Sequence, residues 1–407
     1  MTDVLEGVLP TAGKLLDDAI ALRRRIHEKP ELGLDLPETQ AAVLEALDGL
    51  PLTITAGTTT TSVVAVLEGD TPGPTVLLRG DMDALPMHED TDVDFKSTVD
   101  DAMHACGHDA HVAMLAGAAR LLADRRGELA GRVAFMFQPG EEGHHGARYM
   151  LEEGLLDLAS DDGEPVSMAF AIHQTPVLPS GVIASKGRAM LASADELHIS
   201  VRGRGGHASM PHHALDPIPI ACEIVGAIQS MVTRRVDAFD PAVVTVARIQ
   251  AGTTTNVIPE SAELYGTIRT VSEATRTAVI DDLRRLAEGI AGAHGAEAEV
   301  GLGFGYPVTV NDVDAAAFAL DTARRLLGDS AVIEMPTPVM GAEDWSYVLQ
   351  QVPGSMAFLG TKPPGTTGPV APNHSNRMVI DEQAMAAGIA TYAAVALRWL
   401  EEARAPG

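Results

Sequence analysis

The feature that most constrains the fold is a change, near residue 192, in the order of predicted strands and helices. Before it, short apolar segments at 61–68 and 132–138 flank a helical pattern at 112–124. Alternation of strand and helix is typical of a mostly parallel sheet covered by helices. In sheets of this kind, ligands bind beyond the carboxyl ends of the strands.

Between residues 192 and 303 the pattern is different. Strand patterns occur at 195–202, 242–250, 260–269 and 296–303, and helical patterns at 217–232 and 272–294. Their order, βαββαβ, matches the ferredoxin-like arrangement. The alternating pattern of the first half resumes afterwards. We therefore predict a large α/β domain (1–189 and 301–407) that is interrupted by a small ferredoxin-like α+β domain (190–300).

The charge balance excludes two classes of partner. The chain has 29 basic and 56 acidic residues, a net charge of −27. So negative a surface repels nucleic acid and anionic lipid. The amino terminus lacks the basic and apolar regions of a signal peptide, and the weakly polar run 384–397 is too short to span a bilayer. Because only Cys106 and Cys222 occur, a disulfide scaffold is excluded, and we expect a cytoplasmic protein.

The densest group of polar side chains lies at 103–111, with the sequence Met-His-Ala-Cys-Gly-His-Asp-Ala-His. Cys106 and His108 are separated by one glycine, at a turn that opens the helical pattern. A thiolate and an imidazole placed in this way can face one cation. The alternative is a buried cysteine beside surface histidines.

Two adjacent carboxylates, Glu141 and Glu142, follow the apolar segment 132–138. At the end of a strand, one of them can bind a metal while the other transfers protons; the alternative is a solvated loop. His173 and His374, taken singly, are typical of ordinary core or surface histidines. Taken together, five side chains offer S, N and O ligands for two divalent ions that share one ligand: Cys106, His108, Glu142, His173 and His374.

Further motifs follow in a fixed order along almost the whole chain. They are Arg24-Arg25-Ile26-His27, Pro30-Glu31-Leu32, Gly80-Asp81-Met82-Asp83-Ala84-Leu85-Pro86, Cys106-Gly107-His108-Asp109, Pro139-Gly140-Glu141-Glu142-Gly143, His173, Gly205-Gly206-His207-Ala208-Ser209, Asn256-Val257-Ile258-Pro259, Gly341-Ala342-Glu343-Asp344 and His374-Ser375. Together they resemble the M20 metallopeptidase family, in the amidohydrolase branch. That branch includes N-acyl-amino-acid amidohydrolases, hippurate hydrolases and plant auxin-conjugate hydrolases.

The resemblance departs from the wider family at one motif. The wider family begins its ligand set with His-x-Asp, and Asp81 stands here at the histidine position. The Cys-Gly-His-Asp element separates this branch from relatives whose bridging ligand is Asp. The resemblance therefore implies that His108 replaces the missing ligand and that Asp83 contacts the ligands without binding the metal itself.

The resemblance implies a role for each matching residue. Cys106 would bridge two ions, with His108, Glu142, His173 and His374 completing the two sites. Glu141 would be the general base. In the inserted domain, which resembles the family's lid or dimerisation domain, His207 would stabilise the oxyanion and contact the substrate. Asn256 and Arg269 would bind the substrate's polar group and its α-carboxylate. The ions would be zinc or manganese, with cobalt and nickel as alternatives.

The implied activity is hydrolysis of the amide bond of N-acyl amino acids by a homodimer that associates through the inserted domain. A dipeptidase or carboxypeptidase of the same family is the nearest alternative. A metal-free thiol amidohydrolase, with Cys106 as nucleophile and His108 as base, would leave the other ligands without a role. A non-catalytic binding protein that closes by hinge motion would leave Glu141 unexplained.

Overall fold

The computed structural model describes residues 3–158 and 165–404. The helices are α1 (Val8–Lys14), α2 (Leu16–His27), α3 (Pro37–Leu47), α4 (His108–Asp124), α5 (Gly146–Glu152), α6 (Pro217–Arg235), α7 (Glu273–Ala293), α8 (Val313–Leu327), α9 (Ser346–Leu349) and α10 (Met385–Arg404). The strands are β1 (Leu52–Ala56), β2 (Val63–Glu68), β3 (Thr71–Asp81), β4 (Ala130–Gln138), β5 (Val166–Thr175), β6 (Ile183–Ser185), β7 (Arg188–Leu191), β8 (Asp195–Arg202), β9 (Gly206–His207), β10 (Ala242–Ala251), β11 (Val257–Ile258), β12 (Ser261–Thr270), β13 (Glu297–Phe304), β14 (Thr309–Asn311), β15 (Val332–Glu334) and β16 (Gly354–Gly360).

The chain divides into two compact units. The large unit comprises Met1–Arg188, Val310–Thr337 and Tyr347–Gly407. The inserted unit comprises Ala189–Thr309 and Pro338–Ser346. The second segment of the inserted unit joins the first through its backbone, because the N–H of Ala192 donates to the carbonyl of Val339.

The large unit is built on an eight-stranded sheet of order β1-β2-β4-β3-β5-β16-β6-β15. Its four central strands, β4, β3, β5 and β16, are mutually parallel. Every residue of β4 and β16 is buried, as expected for strands that helices cover on both faces. The predicted α/β architecture is confirmed.

The carboxyl ends of these central strands lie at one edge of the sheet, where β3 ends at Asp81, β4 at Gln138, β5 at Thr175 and β16 at Gly360. The hydroxyl of Tyr392, in α10, fixes that helix to two of the strands: it donates to the carbonyl of Arg79 at 2.6 Å and accepts from the N–H of Ile172 at 3.0 Å. No helix in the described part of the chain is long and apolar enough to cross a membrane.

The inserted unit contains a four-stranded antiparallel sheet of order β10-β12-β8-β13. Side chains alternate along β8, with Leu197, Ile199 and Val201 buried in a core that α6 and α7 also line. Each helix begins at a side-chain cap, because Asp216 accepts from the N–H of Ile218 and Ser272 from that of Thr275. The predicted ferredoxin-like arrangement is confirmed.

Candidate metal centre

The structure brings all five predicted metal ligands together at the carboxyl edge of the large unit's sheet. In one group, the ligand atoms of Cys106, His108 and His173 lie within 4.8 Å of one another. In a second group, those of Cys106, Glu142 and His374 lie within 4.8 Å of one another. The sulfur of Cys106 belongs to both groups, which is the position that a bridging ligand requires.

The turn between Cys106 and His108 depends on glycine. Gly107 adopts a left-handed backbone, with φ of 81°, immediately before α4. A Cβ atom at this position would lie 2.5 Å from Nε2 of Gln174. Glycine alone among the amino acids combines that conformation with that close approach. The turn lets Cys106, before the helix, and His108, its first residue, face the same point.

Asp83 holds the two glutamates in place. Its Oδ1 accepts a hydrogen bond from the N–H of Glu141 at 2.9 Å, and its Oδ2 accepts one from the N–H of Glu142 at 3.0 Å. The Glu142 carboxylate reaches the second ligand group, where Oε1 lies 3.2 Å from Nε2 of His374. Glu141 lies beside it, with a carboxylate oxygen within 4.8 Å of the ligand atoms of His108 and Glu142. The arrangement allows one glutamate to bind metal while its neighbour handles protons.

Hydrogen bonding determines which ring nitrogen of His173 is available to bind a metal ion. Its Nδ1 donates to the carbonyl of Gln174 at 2.6 Å, because a carbonyl can only accept. The lone pair is therefore on Nε2, which lies 3.4 Å from the sulfur of Cys106. A carbonyl on the far nitrogen is the usual support for a metal-binding imidazole.

Burial keeps the thiol and this imidazole neutral. It raises the pKa of Cys106 well above its ordinary value, and the charges of Glu142 and Glu141 add to the effect. It holds the pKa of His173 well below its ordinary value. Neutral imidazole is the form that binds a metal ion, and a thiol that coordinates a cation loses its proton.

Carboxylates crowd around His108. Its Nε2 lies 3.2 Å from Oδ2 of Asp81, and its Nδ1 lies 3.5 Å from Oδ1 of Asp83. Burial lowers the pKa of His108, but these two carboxylates outweigh burial and raise the pKa to about 10. The site therefore attracts a cation, and His108 holds a proton that a metal ion would displace.

Asp81, at the histidine position of the family motif, has other partners. Its Oδ2 lies 3.0 Å from Nη1 of Arg79, and its Oδ1 accepts from Nδ1 of His111 at 2.5 Å. Burial acts to raise the pKa of Asp81, but Arg79 and His108 hold it well below its usual range. This carboxylate is ion-paired, which agrees with a ligand set that uses His108 instead.

The donor set fits two divalent ions. A thiolate, imidazoles and a carboxylate are ligands that divalent transition metals take in proteins. Nε2 of His108 and Oε1 of Glu142 are buried; they lie 3.2 Å from Asp81 and from His374, respectively, but neither contact has the geometry of a hydrogen bond. A buried polar atom whose hydrogen bonding is incomplete costs free energy, and a bound cation would offset that cost.

The inserted unit brings two of its predicted residues together. His207 pairs with Val257 in the short ladder of β9 and β11, and the N–H of Ala208 donates to the carbonyl of Asn256 at 3.1 Å. The exposed ring of His207 accepts a hydrogen bond at Nδ1 from the N–H of Ser209 at 3.1 Å. Its proton is therefore on Nε2, where it can be donated to a ligand.

Arg269 is not part of that pair. It lies near the end of β12, eight residues beyond Ser261. Ser261 pairs with Arg202, and from Arg202 the chain leaves the sheet and continues to His207. At roughly 3.3 Å per residue, those eight residues span about 26 Å. Burial lowers the pKa of this half-buried arginine. The inserted unit thus presents predicted substrate-binding residues at two distant places.

Two residues that contact the ligand segments, Gln174 and Asn373, were not predicted from the sequence. The amide of Gln174 donates to the carbonyl of Cys106, and that of Asn373 lies beside the Cys106 sulfur and next to His374. Their partners are up to 267 residues away in the chain, so no local pattern could have indicated them.

Comparison with known proteins gives concordant matches. Residues 77–398 match peptidase family M20/M25/M40. Thermostable carboxypeptidase 2 of Saccharolobus solfataricus is 39% identical over 401 residues, covering 98% of this chain and 99% of that protein. N-acetylcysteine deacetylase of Bacillus subtilis is 39% identical over 383 residues, covering 94% and 97%. The crystal structure of the Bacillus subtilis YXEP protein, a dinuclear metal binding peptidase from the M20 family, matches with a TM-score of 0.81 at 36% identity, covering 95% of this chain and 99% of that one.

Proposed function

This chain belongs to peptidase family M20/M25/M40 and is a hydrolase of amide bonds; on that premise, we propose that it splits N-acyl amino acids into a carboxylic acid and an amino acid at a pair of divalent metal ions. One observation carries the proposal. Cys106 belongs to two groups of ligand atoms, one with His108 and His173 and the other with Glu142 and His374. The motif resemblance stated from the sequence is confirmed by the family match.

The chain's own residues prepare the reaction. When bound, the two ions would polarise the substrate carbonyl and make water a stronger acid. Asp83 accepts a hydrogen bond from the backbone N–H of Glu141. This contact positions Glu141, so that the Glu141 carboxylate can take a proton from the attacking water. The same carboxyl group then returns the proton to the leaving amine nitrogen as the carbon–nitrogen bond breaks. The products are the free acid and the amino acid.

We assign His207, Asn256 and Arg269 to the substrate. The Nε2–H of His207 is free to donate to the oxygen that becomes negative in the tetrahedral intermediate. Asn256, beside it, would bind a polar group, and Arg269 would bind the α-carboxylate. Arg269 lies about 26 Å along β12 from Ser261, the end of the strand that follows the β9–β11 ladder of His207, and a single small substrate does not span that length.

That separation supports a homodimer in which each active site takes His207 and Asn256 from the other copy. Mixing two inactive variants tests this directly. A mixed dimer of Glu141→Gln and His207→Ala subunits has one site with an intact base and an intact partner histidine. Activity should return on subunit exchange. A mixture that stays inactive after exchange would show that His207 serves its own chain.

A carboxypeptidase is the second candidate, because Thermostable carboxypeptidase 2 of Saccharolobus solfataricus is as similar to this chain as the deacetylase is. A substrate panel separates the two. N-acetyl, N-benzoyl and indole-acetyl amino acids report the first activity, and N-blocked dipeptides report the second. We expect faster turnover of the acylated single amino acids.

The same panel tests the metal requirement. Chelation should abolish turnover, and added zinc, manganese, cobalt or nickel should restore it to different degrees, which identifies the preferred ion. Full activity after complete metal removal would instead favour Cys106 as a nucleophile. We propose the cytoplasm as the compartment, because both cysteines are free thiols in the structure and a reducing environment would keep Cys106 available as a ligand.

A further inference from the structure

We infer that Gln174 is a positioning residue that sets the arrangement of both metal sites through its side-chain amide. This inference rests on the ligand assignment of the proposed function and adds a residue that does not touch metal or substrate. Gln174 follows His173 in β5 and is completely buried.

Its amide nitrogen joins two ligand-bearing segments. Nε2 donates to the backbone carbonyl of Cys106 at 2.7 Å and to Oδ1 of Asn373 at 3.0 Å. Both hydrogens of the amide are thereby used. Cys106 is the shared ligand of the two groups, and Asn373 immediately precedes His374. One side chain therefore sets the distance between the bridging sulfur and the most exposed ligand.

The amide is held in a single orientation. Its Oε1 accepts a hydrogen bond from the hydroxyl of Thr361 at 2.7 Å, so that Nε2 must face the ligand segments. Asn373 returns the contact, because its Nδ2 lies 3.3 Å from the carbonyl of Gln174 and 3.8 Å from the sulfur of Cys106. Gly107 leaves the space that the Gln174 side chain fills.

His374 needs such a support more than the other ligands do. Its side chain is 54% exposed, and its backbone is left-handed, with φ of 66°, a conformation that costs free energy for any residue except glycine. The loop is tied to the Cys106 segment by the bond from the His374 N–H to the carbonyl of Ala105 at 2.8 Å. The Gln174 amide adds the contacts that connect this loop to the buried side of the site.

The test compares two buried amides. In Gln174→Leu, the side-chain bonds to Cys106, Asn373 and Thr361 are lost. The matched control is Asn311→Leu, because Asn311 is equally buried in the large unit and bridges Ser185, Lys186 and Met356 without touching a ligand segment. Metal affinity is measured by chelator competition on the whole protein, together with the absorption of the cobalt-loaded form.

We expect Gln174→Leu to bind metal about 10–100-fold more weakly, the usual effect of removing a group that supports ligands, and to shift the thiolate-to-cobalt absorption band. Asn311→Leu should lower the thermal stability to a similar extent while leaving metal affinity and spectrum unchanged. Equal metal affinity in Gln174→Leu and the wild type, with an unchanged cobalt spectrum, would overturn the inference.

Two further variants complete the design. Should Gln174→Leu not fold, Asn373→Ala removes the same link from the half-buried side, and it must weaken metal binding for the inference to stand. Cys106→Ser distinguishes a failure of the proposed function from a failure of this inference. If that variant binds metal as the wild type does, the proposed function fails; if only the Gln174 and Asn373 variants match the wild type, this inference alone fails.

Discussion

The proposed metal ligands of the large unit and the proposed substrate residues of the inserted unit are held in place in opposite ways. Cys106, His108 and His173 are buried. Cys106 contacts His173, 67 residues further along the chain, and His108 lies beside Asp81 and Asp83 of a different segment. His207 is exposed, and its ring is held by Ser209, two residues further along. The first group is fixed by the tertiary structure, and the second by a local turn.

The difference follows from what each group must bind. Metal ligands need fixed distances and a dry surrounding before the ion arrives, because electrostatic attraction weakens in water. An oxyanion donor acts on a charge that develops only after the substrate has bound, so it must be reachable from solvent first. Substitutions in the two regions should therefore fail in distinguishable ways.

The largest expected effect is that of Glu141→Gln. Turnover should fall by about 10²–10⁴-fold, the usual contribution of a general base, while both ions stay bound. The backbone contact with Asp83 does not involve the substituted side chain. Parallel measurements of turnover and of metal content by mass spectrometry check this.

Glu142→Gln is the matched control for that experiment, because it changes the adjacent carboxylate that reaches His374. It should lose metal. If Glu141→Gln were the variant that lost metal and kept its activity per bound ion, the roles of the two glutamates would be reversed.

In the inserted unit, His207→Ala should lower turnover by about 10²–10³-fold, as the loss of one oxyanion donor does, with a small change in KM and none in metal content. The exposed His212, in the same unit, supplies the control. His212→Ala should behave as the wild type does. Near-normal turnover of His207→Ala would show that this histidine is a surface residue without a role in catalysis.

A smaller effect, on stability, is expected from His27, which contacts Asp109 in α4. His27 lies 2.8 Å from Asp109 and 3.3 Å from Glu89. Burial lowers its pKa, but these hydrogen bonds outweigh burial and raise the pKa to about 9. Protonated His27 therefore contributes about 3 kcal/mol to the free energy of unfolding. This contribution is fully present below pH 6.5 and is lost as the pH rises through 9.

Denaturant unfolding at pH 6.5 and pH 9.5 tests that sign. The free energy of unfolding of the wild type should fall between the two pH values by more than that of His27→Gln, which lacks the titrating group. Parallel losses in the two proteins would show that His27 does not contribute in this way.

The sequence predicted the fold and the composition of the candidate site more fully than the site's supports. Strand and helix periodicities gave the parallel sheet and the ferredoxin-like insertion, because these patterns are local. The Cys-Gly-His spacing and the Glu-Glu pair placed ligand types at strand ends, where a parallel sheet brings them together.

The positions of Gln174 and Arg269 could not be predicted in that way. Gln174 is an ordinary polar residue until β5 brings it beside Cys106, 68 residues earlier in the chain. The resemblance assigns Arg269 to the substrate together with His207, but strand register places it at the other end of β12. Both facts depend on long-range pairing, which a linear motif does not record.

The central claim is that two metal ions share the sulfur of Cys106. A crystal structure of the manganese- or zinc-loaded protein, with anomalous difference maps recorded at the metal's absorption edge, tests it most directly. We predict two peaks about 3.5–4 Å apart, one near His108 and His173 and the other near Glu142 and His374, with the Cys106 sulfur within bonding distance of both. A single peak, or two peaks of which only one contacts the sulfur, would contradict the account.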